Sequence, residues 1–134
     1  MKILFALLCD HAHSREDGRM DIHGVFQQLY APGFPARQEA LTLVTAVDWE
    51  EGEEGKQEFR IDMLDPTGSP ALTISGHTDV SVPDETGVPP QTRLLMPLER
   101  VVFPQAGRYE FVLHRGEESW PLTRLYLIED PQAA

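Results

Sequence analysis

Cysteine is almost absent from this sequence, with Cys9 the single example among 134 residues. One cysteine cannot form an internal disulfide, which excludes the disulfide-stapled class of small secreted modules. A chain of this length buries about two-thirds of its extended surface on folding, so it needs no such crosslink. We therefore expect one domain over residues 1–134, folded in the reducing cytoplasm.

Basic residues are scarce as well: 11 Lys and Arg stand against 22 Asp and Glu, which gives a formal net charge of -11. Such a surface repels the phosphates of nucleic acid and of anionic lipid, so we expect neither a nucleic-acid nor a membrane partner.

Long apolar runs are missing too. The run Ile3 to Cys9 is at the short limit of a secretory signal core, and Leu8 stands where a lipoprotein signal needs a small residue. It falls far short of the roughly 20 apolar residues of a membrane span. A strand buried on both faces explains it better.

No segment carries the apolar repeat near 3.6 residues that marks an amphipathic helix. Apolar residues instead alternate with period two, in short runs separated by glycine, proline and charged residues, which is typical of β-strands. Eight runs show this pattern: Lys2–Cys9, Met20–Tyr30, Leu41–Trp49, Glu58–Met63, Leu72–Val82, Arg93–Val102, Arg108–His114 and Trp120–Ile128. Their close spacing predicts an all-β fold, an antiparallel two-sheet β-sandwich of about eight strands.

The connections between the runs carry predictions of their own. The segment APGFPAR, residues 31–37, contains two prolines and predicts a crossover loop. The glycines of EEGEEG predict a hairpin between the third and fourth runs. DPTG, residues 65–68, has the preferences of a type I turn. Pro97 predicts an edge strand or a bulge in the sixth run.

Histidines and carboxylates form two candidate metal sites, because imidazole nitrogen and carboxylate oxygen are good ligands for zinc and other divalent ions. The first comprises Asp10, His11 and His13, where an extended chain would place both histidines on one side. The alternative is a polar loop whose histidines meet only water. A metal site would need further ligands, and the sequence shows no second pair of ligands at a fixed spacing.

The second candidate comprises His77 and Asp79 on the polar side of one strand and His114 on the polar side of another. If those strands are neighbours, the three side chains could converge on a metal or form an acid–base site. If they are not, the three are solvated residues on an open sheet face, which is ordinary in antiparallel sheets.

Other chemistry has less support. The four glutamates of EEGEEG, Glu50, Glu51, Glu53 and Glu54, lack the alternating ligands of a calcium loop and predict a solvated turn. Cys9 ends an apolar run, which predicts a buried and inert thiol. No G-x-S-x-G, G-x-x-x-x-G-K or G-x-G-x-x-G motif occurs, so we expect no catalytic residue and no cofactor.

Aromatic side chains raise the alternative of a sugar-binding surface. The candidates are Trp49, Trp120, Tyr30, Tyr109 and Tyr126. Trp120 and Tyr109 occupy apolar-side positions of strands, where packing in the core is the usual role of a large aromatic.

The first run is apolar on both sides. Ile3, Phe5, Leu7 and Cys9 would share one side, with Leu4, Ala6 and Leu8 on the other. An antiparallel sandwich normally buries one face of a strand, so the second side needs a cover. A loop such as APGFPAR or another subunit could supply it, because an uncovered apolar surface usually marks an interface.

The segments KILFALLCD, GVFQQLYAPGFP, LTLV and PQAGRYEFVL resemble an uncharacterised bacterial family known as a domain of unknown function. The resemblance covers nearly the whole chain. It implies a small β-sandwich of the immunoglobulin-like type, and it assigns no catalytic or binding residue.

These observations favour a non-catalytic cytoplasmic β-sandwich that works by protein contact, with a homodimer as one form of that contact. Two alternatives remain. One is a small-molecule or carbohydrate-binding module, which an open aromatic-lined cleft would favour. The other is a metal-dependent enzyme using some of His11, His13, His77 and His114, which a bound metal would favour.

Overall fold

The computed structural model describes residues 1–133, which form nine strands. In chain order they are β1 (Lys2–Ser14), β2 (Met20–Phe26), β3 (Gln28–Ala31), β4 (Ala36–Asp48), β5 (Gly55–Leu64), β6 (Pro70–Val80), β7 (Gln91–Phe103), β8 (Gly107–Arg115) and β9 (Glu118–Glu129). Residues 1–133 contain no helix long and apolar enough to cross a membrane.

The strands form two sheets. A four-stranded sheet has the order β2-β1-β4-β7, and a five-stranded sheet has the order β3-β9-β8-β5-β6. Every pairing is antiparallel except that of β3 with β9, which is parallel. The all-β prediction is confirmed, while the expectation of a wholly antiparallel arrangement is wrong at this pair.

One hydrophobic core lies between the sheets. Leu8, Leu41 and Phe103 contribute to it from the four-stranded sheet, and Phe111 and Leu125 contribute from the five-stranded sheet. All five are at most 1% exposed. Since strand residues alternate between faces, the period-two pattern of the sequence is what gives each strand one apolar side for this core.

The Met20–Tyr30 run is where the strand count differs from the prediction. The chain crosses from β2 in one sheet to β3 in the other at Gln27, so one predicted run is two strands and the total is nine. The expected hairpin around EEGEEG is also wrong, because β4 and β5 belong to different sheets. Gly52 lies instead in the connection through which the chain passes from one sheet to the other, and Gly55 begins β5.

Two local predictions are confirmed. In DPTG the Gly68 N–H donates to the carbonyl oxygen of Asp65 at 2.9 Å, which closes the turn between β5 and β6. Pro97 lies in β7, an edge strand of the four-stranded sheet. The missing N–H of proline costs least at such an edge.

β1 extends beyond the segment that pairs with β4. It pairs with β4 from Lys2 to Cys9, and beyond Cys9 it pairs with β2 alone as far as Ser14. The predicted first run ended at Cys9, but the strand continues through these last residues. We call this two-stranded extension with its turn, residues 10–24, the distal ribbon.

The distal ribbon folds back over the outer face of the four-stranded sheet. Arg93 on β7 lies in the same cross-strand row as Phe5, and a straight strand would carry Ser14 about 30 Å beyond that row. Yet Nη1 of Arg93 donates a hydrogen bond of 2.6 Å to the carbonyl oxygen of Gly18, in the turn of the ribbon. Only a ribbon bent back across the sheet allows this contact.

Burial on that outer face agrees with the bend. Cys9, Val44 and Ala46 face outward from the sheet, yet each is at most 1% exposed. On the ribbon, Ala12, Met20 and Ile22 are half-buried, whereas the histidines of the opposite side are exposed. Ala12, Met20 and Ile22 therefore lie on the more buried side of the ribbon, and the histidines lie on its solvent-exposed side.

The cover of the first strand around Cys9 thus comes from the chain itself, by the strand's own continuation. APGFPAR does not supply it, because Phe34 of that loop packs against the core between the sheets. A β-bulge between Ile3 and Phe5 also changes the predicted sides. Ile3 packs against the core, while Phe5 pairs with Ala46 on the outer face.

Candidate functional site

The distal ribbon leaves part of the outer face uncovered. Leu4 is 40% exposed at the bulge of β1, Phe5 is 38% exposed beside it, and Val25 is 58% exposed on the edge strand β2. We call these three residues the apolar patch. Lys2 and Asp48 are cross-strand partners at the same end of the sheet, so a cation and an anion border the patch.

Four metal-ligating side chains lie together on the solvent side of the distal ribbon. His11 is the cross-strand partner of His23, and His13 is the partner of Asp21. The rings of His11 and His23 stack with centroids 4.5 Å apart, and those of His13 and His23 are 5.7 Å apart. Nε2 of His13 is 3.2 Å from Oδ2 of Asp21. Asp10 points elsewhere, and its Oδ2 occupies the space that a Cβ on Gly24 would need.

The predicted site contained His11 and His13 but neither His23 nor Asp21. A signal was available, because a short turn between Ser14 and Met20 sets Asp21 opposite His13 and His23 opposite His11. Alternation after Met20 also places Asp21 and His23 on one side.

The other predicted histidines lie on the other sheet. His77 on β6 and His114 on β8 both line a shallow groove of about 550 Å³ on the outer face of the five-stranded sheet. Their strands are not neighbours, because β5 runs between them and brings Glu58 and Arg60 into the groove. The second metal candidate, His77, Asp79 and His114, required these strands to be neighbours, and they are not. Asp79 is exposed near the end of β6.

Asp62 organises the polar network next to this groove. Its side chain is only 8% exposed, and its Oδ2 lies 3.2 Å from Nε2 of His114 and 3.3 Å from Nε of Arg60. Its Oδ1 accepts a hydrogen bond of 2.8 Å from Thr73. A buried carboxylate is stable only with such partners. Sequence alone did not identify Asp62, because its position is on the polar side of its run.

His114 also contacts Ser119, with 2.7 Å between Nδ1 and Oγ. Serine, histidine and aspartate therefore form a connected chain, an arrangement that can activate a serine nucleophile. Two features argue against that role. Ser119 is not among the residues that line the groove, and Arg60 shares the Asp62 carboxylate. The network therefore fixes His114 in place between Asp62 and Ser119.

Cys9 and the aromatic candidates behave largely as packing residues. The Cys9 thiol is fully buried, and burial, followed by the charge of Asp10, raises its pKa above the ordinary value. Trp49 and Tyr109 are buried, and Trp120 packs against the core. Tyr30 and Tyr126 are exposed on the paired strands β3 and β9.

One member of the acidic stretch is not solvated as predicted. The carboxylate of Glu53 is 13% exposed and lies 2.8 Å from the Met1 amine and 2.6 Å from Nη2 of Arg115. Burial alone raises the pKa of Glu53, but the hydrogen bonds from the Met1 amine and the Glu50 N–H, with the charge of Arg115, outweigh it. Its pKa therefore lies below the ordinary value.

The fold and these sites define an all-β protein of two packed sheets, whose chemically distinctive side chains lie on two separate outer faces. The chain belongs to the family of unknown function DUF6941, whose model matches residues 4–128. No curated protein and no solved structure matches it significantly. The resemblance to an uncharacterised domain family is thereby confirmed.

Proposed function

We propose that this chain works by protein–protein contact and not by catalysis, as a single cytoplasmic domain of the immunoglobulin-like sandwich type. The apolar patch carries the proposal. Leu4, Phe5 and Val25 are exposed apolar side chains on β1 and β2 of the four-stranded sheet, at positions that the distal ribbon leaves open. Exposed apolar side chains clustered on a sheet face are typical of an interaction surface.

We propose a second copy of this chain as the partner. The protein carries a net charge of -11, so two copies repel over most of their surfaces. The patch, however, is bordered by both Lys2 and Asp48. A two-fold contact brings the same surface of both copies together, which sets Lys2 of one copy against Asp48 of the other.

A hydrogen bond supports the immunoglobulin-like class. The hydroxyl of Tyr109, at the start of β8, donates to the carbonyl oxygen of Gln105 at 2.7 Å and accepts from the Gln105 N–H at 3.1 Å. A tyrosine bonded to the backbone a few residues upstream, where the chain turns into a strand, is a feature of immunoglobulin-like sandwiches.

Sedimentation velocity tests the proposed contact. We expect the wild-type chain to show a dimer whose fraction rises with concentration, up to about 0.5 mM. Phe5→Thr and Val25→Thr place a β-branched residue, which favours strands, at each position and should each weaken the dimer at least about tenfold, a change of roughly 1.4 kcal/mol. Val102→Thr is the matched control, because Val102 is 51% exposed on β7 but lies at the other end of the sheet.

Circular dichroism spectra of the variants establish that each is folded. The proposed dimer would be overturned if the wild-type chain sediments only as a monomer at 0.5 mM. A specific dimer with a dissociation constant below about 0.5 mM would be detected at that concentration. Equal weakening by Val102→Thr would also overturn it, because the contact would then not lie at the patch.

A further inference from the structure

The distal ribbon places three of the protein's five histidines on one exposed surface. His11 and His13 project to the same side of β1, and His23 faces His11 from β2. Asp21 completes a square of four, opposite His13. The three histidines are exposed, whereas Ala12, Met20 and Ile22 on the other side of the ribbon are half-buried.

We propose that His11, His13 and His23, with Asp21 as the fourth group, bind one divalent ion of a late first-row transition metal such as Zn²⁺. Imidazole nitrogen and carboxylate oxygen are the ligands that zinc takes at about 2.0–2.2 Å, in a tetrahedral set of four. Two histidines separated by one residue on a strand, with a third on the neighbouring strand, reach one point above the sheet from three directions.

The structure holds the four side chains in a stacked arrangement, and within residues 1–133 no group of three ligands is gathered around one point. Binding therefore requires the rings to turn about their side-chain bonds. All three histidines are exposed, and His13 has 54% of its side chain accessible, so solvent provides the room. The backbone square that sets the spacing stays unchanged.

Charge favours a cation at this position. Neutral imidazoles carry no charge to oppose the ion, and Asp21 contributes a carboxylate within 3.2 Å of His13. The chain as a whole is strongly acidic, which raises the local concentration of cations. Arg15 is the opposing group, since its Nη1 lies 3.6 Å from Oδ1 of Asp21, and it would have to yield that oxygen.

Isothermal titration of the untagged, EDTA-treated chain with ZnCl₂ tests the proposal. We expect one ion per chain with a dissociation constant below about 10 μM. His23→Ala should weaken binding at least about tenfold. Asp21→Asn should weaken it less, since an amide oxygen remains. His77→Ala is the matched control, because His77 is an exposed strand histidine on the other sheet and should leave binding unchanged.

Cu²⁺ gives a readout that reports ligand identity directly. The electron paramagnetic resonance spectrum of the copper-loaded chain should show coupling to three imidazole nitrogens, and His23→Ala should reduce this number to two. Circular dichroism confirms that the variant is folded, and His23→Gln provides a second variant that keeps a polar strand side chain.

Two results would overturn this metal site. One is an absence of saturable zinc binding up to about 100 μM. The other is binding by His23→Ala and His23→Gln that equals wild type. Phe5→Thr separates this proposal from the dimer, because it alters the apolar patch and leaves the ligands intact. If Phe5→Thr binds zinc as wild type does, the metal site is independent of the apolar patch. This conclusion holds whether or not the wild-type chain forms a dimer.

Discussion

The carboxylate of Glu53 joins three segments that are distant in the chain. It contacts the Met1 amine and Arg115, and the Arg115 guanidinium lies 5.5 Å from the ring centroid of Trp49 and 5.9 Å from that of Trp120. The Arg115 guanidinium is therefore held by an ion pair with Glu53 and by cation–π contacts with the two tryptophan rings.

We expect Glu53→Gln to lower the free energy of unfolding at pH 7 by about 2 kcal/mol, the scale of a hydrogen bond to a charged group. The folded pKa of Glu53 lies below its ordinary value of 4.5, so its contribution is complete above that pH. The contribution is lost as the pH falls from 4.5 through the lower folded value. Urea unfolding between pH 7 and pH 3 should therefore show a smaller acid loss of stability in the variant than in wild type.

Glu51→Gln supplies the comparison for this measurement, because Glu51 is exposed in the same acidic stretch. It should change stability by less than about 0.5 kcal/mol, as surface substitutions usually do. If Glu53→Gln behaves like Glu51→Gln at both pH values, the partly buried ion pair contributes nothing to folding.

At the scale of elements, the distal ribbon depends on its bend next to Cys9. Gly24 has φ of +70°, and a Cβ added there would clash with Oδ2 of Asp10. The left-handed conformation favours glycine, since it costs other residues about 1–2 kcal/mol, and a larger residue would also displace the Asp10 side chain.

Gly24→Ala should therefore loosen the ribbon and expose the thiol beneath the bend. We expect its Cys9 to react with Ellman's reagent at least about fivefold faster than wild-type Cys9 under native conditions, because local opening becomes easier by at least about 1 kcal/mol. Gly33→Ala is the control, because Gly33 has no atom within 4 Å of an added Cβ and no positive φ. Equal rates for Gly24→Ala and wild type would show that this bend does not guard Cys9.

The same element shows what sequence could and could not predict. The period-two pattern predicts which sides of β4, β6 and β8 face the core, because in a regular strand all residues of one side face the same way. It failed at β1, because the bulge before Phe5 switches the sides and because the strand's second cover is its own continuation. A bend of this kind rests on Gly24 and on the distant contact between Arg93 and Gly18, and no local pattern encodes that contact.

The candidate sites divide in the same way. His11 and His13 were found because a period of two is a local property, whereas His77 and His114 could be assessed only once the strand order was known. Asp62 and Glu53 were missed for a related reason. Their hydrogen-bond and ion-pair partners Thr73, His114 and Arg115 lie on other strands.

At the scale of the whole molecule, the net charge of -11 opposes compaction. Twenty-two carboxylates are closer together in the folded chain than in the unfolded one, and their mutual repulsion extends over about 20 Å at low ionic strength. Sodium chloride shortens that range to below 10 Å at 0.3 M, so it should stabilise the fold.

We expect the midpoint of urea unfolding at pH 7 to rise by about 0.5 M between 20 mM and 300 mM NaCl, which corresponds to roughly 1 kcal/mol. Salt also weakens the surface ion pairs, such as Arg37 with Glu39, but exposed pairs of this kind contribute little. Carrying out the titration at a protein concentration where sedimentation shows only monomer separates this effect from self-association. A midpoint that falls with salt would mean that attractive pairs, including the partly buried one between Glu53 and Arg115, outweigh the repulsion between the carboxylates.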